Sequence, residues 1–286
     1  MREIGVPPSG EKRRGFDPLR FYRLLPPERG WMRLLGYGVL GIALSPPSLP
    51  LLVADLLVLC GIFMYGFSLN DFFDYLWEGE ENPVREQTER RGKGAVLFLI
   101  LLPLSTLILL PLLPPPSSLL LLLFLLLLTL HSVPPARTRD RFSSLGYLLL
   151  PLGYTLTFLQ ALLLSGDPSK PHLLLLPIVL VAACQDEMLG LLLRKEEVKG
   201  RERVERLSLW LSLPLFLLSL LFLPFSPFFL LTTLFSLVKG EGLRRIAKRG
   251  FRLREDPLWR RMRPLGLSLS TYHLGAYALL GAVGLF

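Results

Sequence analysis

Residues 70–85 read NDFFDYLWEGEENPVR and decide how the chain is interpreted. They follow an apolar run, residues 49–69, in which the one charged residue is Asp55. A run of about 20 apolar residues has the length that spans the hydrocarbon core of a bilayer. The polar stretch therefore lies where a predicted membrane helix meets water.

The carboxylates of this stretch have the spacing of one helical face. Asp74 and Glu78 come three and seven positions after Asp71, so a helix would project all three from the same side. Together with Asn70 they offer the hard oxygen ligands that Mg²⁺ takes in proteins. The alternative interpretation is that these groups cap the helix and pair with neighbouring arginines. Glu80 and Glu81 fall off the shared face, which predicts that both are solvated.

The composition is that of an integral membrane protein. Of the 286 residues 51% are hydrophobic, and the mean hydropathy is +0.47. Both values are far from those of an ordinary soluble domain. The predicted fold class is all-α, a polytopic membrane helical bundle of nine helices. Their approximate ranges are 31–45, 48–72, 94–113, 117–132, 144–165, 171–193, 207–223, 225–239 and 265–285.

The distribution of basic residues predicts the orientation. Cytoplasmic loops of membrane proteins hold most of the Lys and Arg. With the amino terminus inside and the carboxyl terminus outside, nine helices place 31 of the 32 basic residues on one side, and Lys170 is the exception. This predicts a basic cytoplasmic segment over residues 1–30, a single membrane domain over 31–286, and a functional face toward the cytoplasm of an inner or plasma membrane.

The net charge of +9 needs no nucleic-acid partner. Topology and attraction to anionic lipid headgroups account for a basic excess in a membrane protein. Cys60 and Cys184 both lie in predicted helices, so neither a disulfide framework nor a thiolate metal site is expected.

Two sequence patterns together resemble the UbiA superfamily of intramembrane prenyltransferases. The first, in residues 70–85, is Asn-Asp-x-x-Asp-x-x-x-(Asp/Glu) followed by Asn-Pro-x-Arg, and the second is the Ser-x-Pro-Pro-x-Arg turn within residues 132–139. The resemblance implies a helical bundle around a central lipid-open cavity. It also implies Mg²⁺ and an isoprenyl diphosphate at the cytoplasmic end, a lipophilic acceptor, and surrounding membrane lipids.

The same resemblance implies roles for individual residues. It makes Asn70, Asp71, Asp74 and Glu78 ligands of one Mg²⁺. The implied phosphate-binding residues are Arg85, Arg137 and Arg139. His131 stands where the family usually has a tyrosine before the Pro-Pro turn, and either binds substrate or packs. Tyr147 and Tyr154 are candidate cavity groups, with packing as the alternative.

The match weakens after the sixth predicted helix. The family usually has a second Asp-x-x-x-Asp pattern there, which binds another magnesium ion and sometimes supplies a base. Here Asp186 and Glu187 are followed four positions later by Gly190 and Leu191. Either the loop is merely charged, or it forms a divergent metal and catalytic site. The divergent site would use Asp186, Glu187, Glu196 and Glu197.

The expected function is Mg²⁺-dependent transfer of a prenyl group from an isoprenyl diphosphate to a quinone-type, aromatic or lipid acceptor. Two alternatives remain open: a terpene cyclase of the UbiA type, which needs no acceptor, and a non-catalytic homologue that binds a lipid diphosphate. A solute carrier is less attractive, because the charges gather at one membrane face and not at a midplane site.

Overall fold

The structure is a computed structural model that describes residues 16–22, 37–42, 44–134, 143–166, 173–194, 201–225, 228–252 and 256–258. All regular secondary structure in these ranges is helical. Two 3-10 segments, Leu102–Leu112 and Leu223–Phe225, continue α-helices that precede them. The α-helices are α1 (Pro18–Phe21), α2 (37–42), α3 (Leu49–Glu78), α4 (Pro83–Arg91), α5 (Lys93–Leu101), α6 (Pro115–Ser132), α7 (Ser143–Leu162), α8 (Leu175–Arg194), α9 (Arg201–Trp210), α10 (Ser212–Phe222) and α11 (Phe228–Ala247).

The described part of the chain contains five helical stretches long and apolar enough to cross a membrane. Large apolar side chains on their outer faces are exposed, among them Leu49, Ile108 and Leu221. Exposed apolar surface of this extent is compatible with lipid and not with water. The chain is therefore an integral membrane protein with an all-α helical bundle, as predicted. The five stretches are Leu49–Glu78, Lys93–Leu112, Pro115–Ser132, Leu175–Leu192 and Arg201–Phe222.

Several helices extend beyond the apolar runs that predicted them. The second predicted helix continues to Glu78, the seventh begins at Arg201, and the eighth continues to Ala247. Hydropathy predicts only the part of a helix that crosses the apolar layer of the bilayer, whereas the helix itself ends at a cap or a turn. The ninth predicted helix, 265–285, lies outside the described residues, so the helix count and the side of each terminus stay predictions.

The long helix α3 forms one wall of the main apolar core. Val58, Ile62 and Phe63 are buried in this core, where Phe63 meets Phe124 of α6 edge to face at 5.5 Å between ring centroids. On another side of α3, Gly61 faces the 3-10 segment Leu102–Leu112. A glycine there lets two backbones approach closely, which is the usual way that membrane helices pack.

A polar cluster joins α3, α6 and α7 inside the same core. Asp55 is fully buried, and the Gln160 side-chain amide donates a hydrogen bond to its carboxylate. The same amide donates to the Ser117 hydroxyl at 2.8 Å. Asp55 lies 15 residues before Asn70, or about 22 Å along a helix. The cluster is thus far from the acidic stretch, and Asp55 has partners of its own.

Replacing Gly61 with alanine is expected to destabilise the protein. An added Cβ would lie 2.5 Å from the Pro103 carbonyl oxygen and would also collide with the Thr106 hydroxyl. Overpacking of this kind costs about 1–3 kcal/mol. The thermal unfolding midpoint in one detergent should fall for Gly61→Ala. Gly94→Ala is the control, because a Cβ there meets nothing within 4 Å. Equal midpoints for the two variants would contradict the close packing.

Candidate functional site

The first acidic stretch forms the last turns of α3. Asp71 and Asp74 are both buried, while Asn70 is half-buried and donates a hydrogen bond from Nδ2 to Asp74 Oδ2 at 2.7 Å. Glu78 lies at the end of the helix and is exposed. Of the three carboxylates predicted on one face, the helix therefore buries two and leaves the third in contact with solvent.

A short turn connects α3 to α4 and fixes their ends together. Gly79 follows α3 with φ +69°, a left-handed conformation that glycine adopts without strain. Asn82 is the N-cap of α4, where its Oδ1 accepts from the Arg85 backbone N–H at 2.9 Å. Its Nδ2 donates to the Asp71 carbonyl oxygen at 2.8 Å. Asn82 thus holds the start of α4 against the helix that carries the carboxylates.

The α4 helix itself was not among the predicted helices. Its sequence signals are the Asn-Pro pair at its start, typical of an N-cap followed by proline in the first turn, and Gly92 at its end. Apolar periodicity could not reveal a helix whose sequence is as polar as PVREQTERR.

Arg85 lies beside the end of α3. Its guanidinium donates to Glu89 at 2.8 Å and to the Gly79 carbonyl at 3.4 Å, and it lies 3.8 Å from Glu81. The guanidinium carbon is also 5.8 Å from the centre of the Tyr75 ring. The Glu89 hydrogen bond raises the pKa of Arg85 further, so this side chain carries a full charge. Glu80 and Glu81 are exposed, as predicted.

The other predicted substrate-binding residues are described only in part. His131 lies half-buried in the last turn of α6. Tyr147 lies on α7, but its side chain is outside the described part of the structure. Arg137 and Arg139 fall outside the described residues altogether. The roles of all four stay predictions.

The second acidic stretch lies on α8. Asp186 and Glu187 are both buried. The Tyr154 hydroxyl of α7 donates to Glu187 Oε2 at 3.5 Å, and the Tyr154 ring stacks on Tyr37 with 5.7 Å between centroids. The structure thus brings together two of the predicted residues, Tyr154 and Glu187. Glu196 and Glu197 lie outside the described residues.

Lys239 is a residue of this region that the sequence did not single out. Its Nζ donates to Asp186 Oδ1 at 2.6 Å, and the two side chains are only 2% and 1% exposed. The predicted topology counts Lys239 among the basic residues of a cytoplasmic loop. In the structure it lies on the buried face of α11, with Ser236, Leu243 and Ile246 at helical spacing.

Solved structures of a UbiA homolog from Archaeoglobus fulgidus share this arrangement of helices. The homolog bound to DMAPP and Mg²⁺ superposes with a TM-score of 0.70 at 17% identity. Bound to GPP and Mg²⁺ it gives 0.69 at 16%, and bound to Cd²⁺ it gives 0.68 at 17%. Each comparison covers 93% of this chain and 99% of the other. The chain has the UbiA fold.

Comparison of the sequence with protein-family models and with curated proteins gives no match. The likeness to the UbiA homolog is therefore carried by the fold, over nearly the whole of both chains.

The two acidic stretches of this UbiA fold differ in their fitness for a metal ion. Mg²⁺ binds through one or two carboxylates, with water and substrate phosphates completing its octahedron. Asp71, Asp74 and Asn70 fit that donor set. Asp186 is paired with an ammonium group and does not fit a divalent cation as well. Within the described residues, no group of three or more His, Cys, Asp or Glu side chains forms a ready metal site.

Asn82→Ala is expected to loosen the junction between α3 and α4. The variant loses both the N-cap and the hydrogen bond to the Asp71 carbonyl oxygen, and loss of an N-cap alone costs about 1 kcal/mol. Asn82→Ser keeps an N-cap oxygen but is too short to reach Asp71, so its unfolding midpoint should be intermediate. Glu81→Ala is the matched control in the same turn, because the Glu81 side chain is 91% exposed. Equal midpoints for all three variants would contradict the role of Asn82.

Proposed function

We propose that this chain is a Mg²⁺-dependent intramembrane prenyltransferase. It transfers a prenyl group from an isoprenyl diphosphate to a quinone-type, aromatic or lipid acceptor. The observation that carries the proposal is the pair of buried carboxylates, Asp71 and Asp74, beside Arg85 at one end of an apolar bundle with the UbiA fold. Support also comes from the UbiA homolog, whose structures are bound to GPP or DMAPP with Mg²⁺.

The carboxylates of α3 are the residues we assign to metal binding. Carboxylate oxygens are the hard ligands that Mg²⁺ takes in proteins, and residues three positions apart lie on one face of a helix. Asp71, Asp74 and the Asn70 amide oxygen would hold Mg²⁺, with Glu78 at the exposed edge of the site. The bound ion supplies positive charge to the diphosphate and so makes it a better leaving group.

Basic side chains bind the diphosphate in this proposal. Arg85 lies at the end of α3, and Arg137 and Arg139 belong to the Pro-Pro turn that follows α6. A guanidinium can donate two parallel hydrogen bonds to phosphate oxygens. His131 would donate from the end of α6. These cations stabilise the negative charge that grows on the diphosphate when it departs.

The prenyl transfer requires one bond to break and one to form. The allylic carbon–oxygen bond breaks, and its electron pair leaves with the diphosphate. A nucleophilic atom of the acceptor bonds to the allylic carbon and gives up a proton. We assign Glu187 to receive that proton, because it is buried and the Tyr154 hydroxyl orients it. Tyr147 is assigned to the same cavity.

The orientation is part of the proposal. The site would face the cytoplasm of an inner or plasma membrane, with the amino terminus on the same side and the carboxyl terminus opposite. The supporting observation is the concentration of basic residues in alternate loops of the nine-helix topology.

Neutralising either buried carboxylate of α3 should abolish turnover. Asp71→Asn and Asp74→Asn are each expected to lower Mg²⁺-dependent pyrophosphate release by about a hundredfold or more, since each removes charge that holds the ion. Expression and unfolding midpoint should change little. Glu80→Gln is the control, because Glu80 is exposed in the adjoining turn. Full activity in either aspartate variant would refute the assigned site.

The products decide between transfer and its alternatives. The purified chain is incubated with isoprenyl diphosphates of several lengths and Mg²⁺, with and without a membrane-lipid extract. A transferase releases pyrophosphate only when an acceptor is present and yields a prenylated product by mass spectrometry. Release without acceptor together with a cyclic hydrocarbon would identify a cyclase. Binding of the diphosphate without release at any length would identify a non-catalytic homologue.

A further inference from the structure

The ion pair between Lys239 and Asp186 is costly for the protein to maintain. Both charges are removed from water, and pairs buried in this way are often no more stable than apolar residues of the same size. Ionisable groups within membrane helices are therefore functional candidates by default. The pair therefore makes the second acidic stretch a place to look for a function.

Helix packing fixes the position of Lys239. The next residue, Gly240, presses α11 against α10, since a Cβ at this glycine would lie 3.0 Å from Ser212 Cβ. The Ser212 hydroxyl accepts a hydrogen bond from Gln185 Nε2 at 2.7 Å, and Gln185 immediately precedes Asp186. Gln185 also donates to the Ser208 carbonyl of α9 at 2.8 Å. Four helices thus hold the ammonium group and the carboxylate in register.

The ammonium group of Lys239 has capacity beyond this pair. A lysine carries three N–H donors, and within the described residues Lys239 donates one hydrogen bond, to Asp186. An ammonium group is a compact point charge that binds phosphate oxygens well. The neighbouring carboxylate, Glu187, has its own partner in Tyr154. The ammonium group therefore contacts Asp186 with one N–H and retains donors for a further acceptor.

We propose that Lys239 supplies a built-in cation at the second acidic stretch and takes the place of a second divalent ion. The chain would then bind a diphosphate with one divalent cation, at Asp71 and Asp74, and one fixed ammonium group, at Asp186. This inference rests on the proposed function, because it concerns the same diphosphate. It accounts for the missing Asp-x-x-x-Asp spacing, since one carboxylate is enough to hold a lysine.

Counting bound cations tests the proposal. The full chain in detergent is saturated with a thiolo analogue of geranyl diphosphate, which resists cleavage, and titrated with Mn²⁺ while free Mn²⁺ is followed by electron paramagnetic resonance. Wild type should bind one Mn²⁺ per chain. Lys239→Met removes the ammonium group that occupies Asp186 Oδ1 and should bind two. Lys239→Arg keeps the charge and should again bind one.

A neutral double variant covers the case in which Lys239→Met does not fold. Asp186→Asn combined with Lys239→Met removes both charges, and this variant should bind one Mn²⁺. Its affinity for the analogue should be about ten- to a hundredfold lower than that of wild type, which is the usual effect of losing a charge-assisted hydrogen bond. Asp186→Asn alone keeps the ammonium group, so it should bind the analogue more tightly than the double variant does.

Two results would overturn the role of Lys239 without touching the proposed function. These are two Mn²⁺ per wild-type chain with intact analogue binding, and wild-type analogue affinity in the double variant. Failure of the wild type to bind the analogue at any Mn²⁺ concentration would instead overturn the proposed function, and this inference with it.

Discussion

Charge buried in an apolar bundle has to be compensated by neighbouring groups, and this constraint governs the polar interior of the molecule. Lipid offers no water to solvate a carboxylate, so a partner must come from the chain or from a bound ion. Asp55 is met by the Gln160 amide, and Asp186 by the Lys239 ammonium group. Asp71 and Asp74 lie in the last turns of α3, next to the start of α4, which carries Arg85.

The first acidic stretch depends on a tight connection between two helices. Gly79 reverses the chain after α3, and Asn82 both starts α4 and donates to the backbone of α3 at Asp71. Arg85 consequently returns to the end of α3, over Tyr75. The residues of the Asn-Pro-x-Arg pattern thus have a local structural role, since they start α4 and position Arg85. They orient one cation toward the helix that carries the carboxylates.

Much of this could be predicted from the sequence, because hydropathy and helical spacing are local properties. They located the five apolar helical stretches of the described residues, and they placed Asp71 and Asp74 on one face of α3. The burial of Lys239 could not be predicted in this way. It follows an apolar run and precedes a basic stretch, as loop lysines do, and the rotation of α11 that turns it inward depends on the contact of Gly240 with Ser212. Tertiary packing of this kind leaves no periodic signal.

The pairing of Lys239 with Asp186 also makes the positive charge beside Asp186 insensitive to the ions in the surrounding solution. A tethered group competes for its partner at a high effective concentration that dilution cannot lower. A dissolved cation can bind Asp186 only if it displaces the Lys239 ammonium group. A chelator cannot remove that group, because it is part of the chain. The positive charge beside Asp186 is therefore independent of the free Mg²⁺ level around the membrane. Under the proposed function, only a divalent ion at Asp71 and Asp74 would be gained or lost as that level changes.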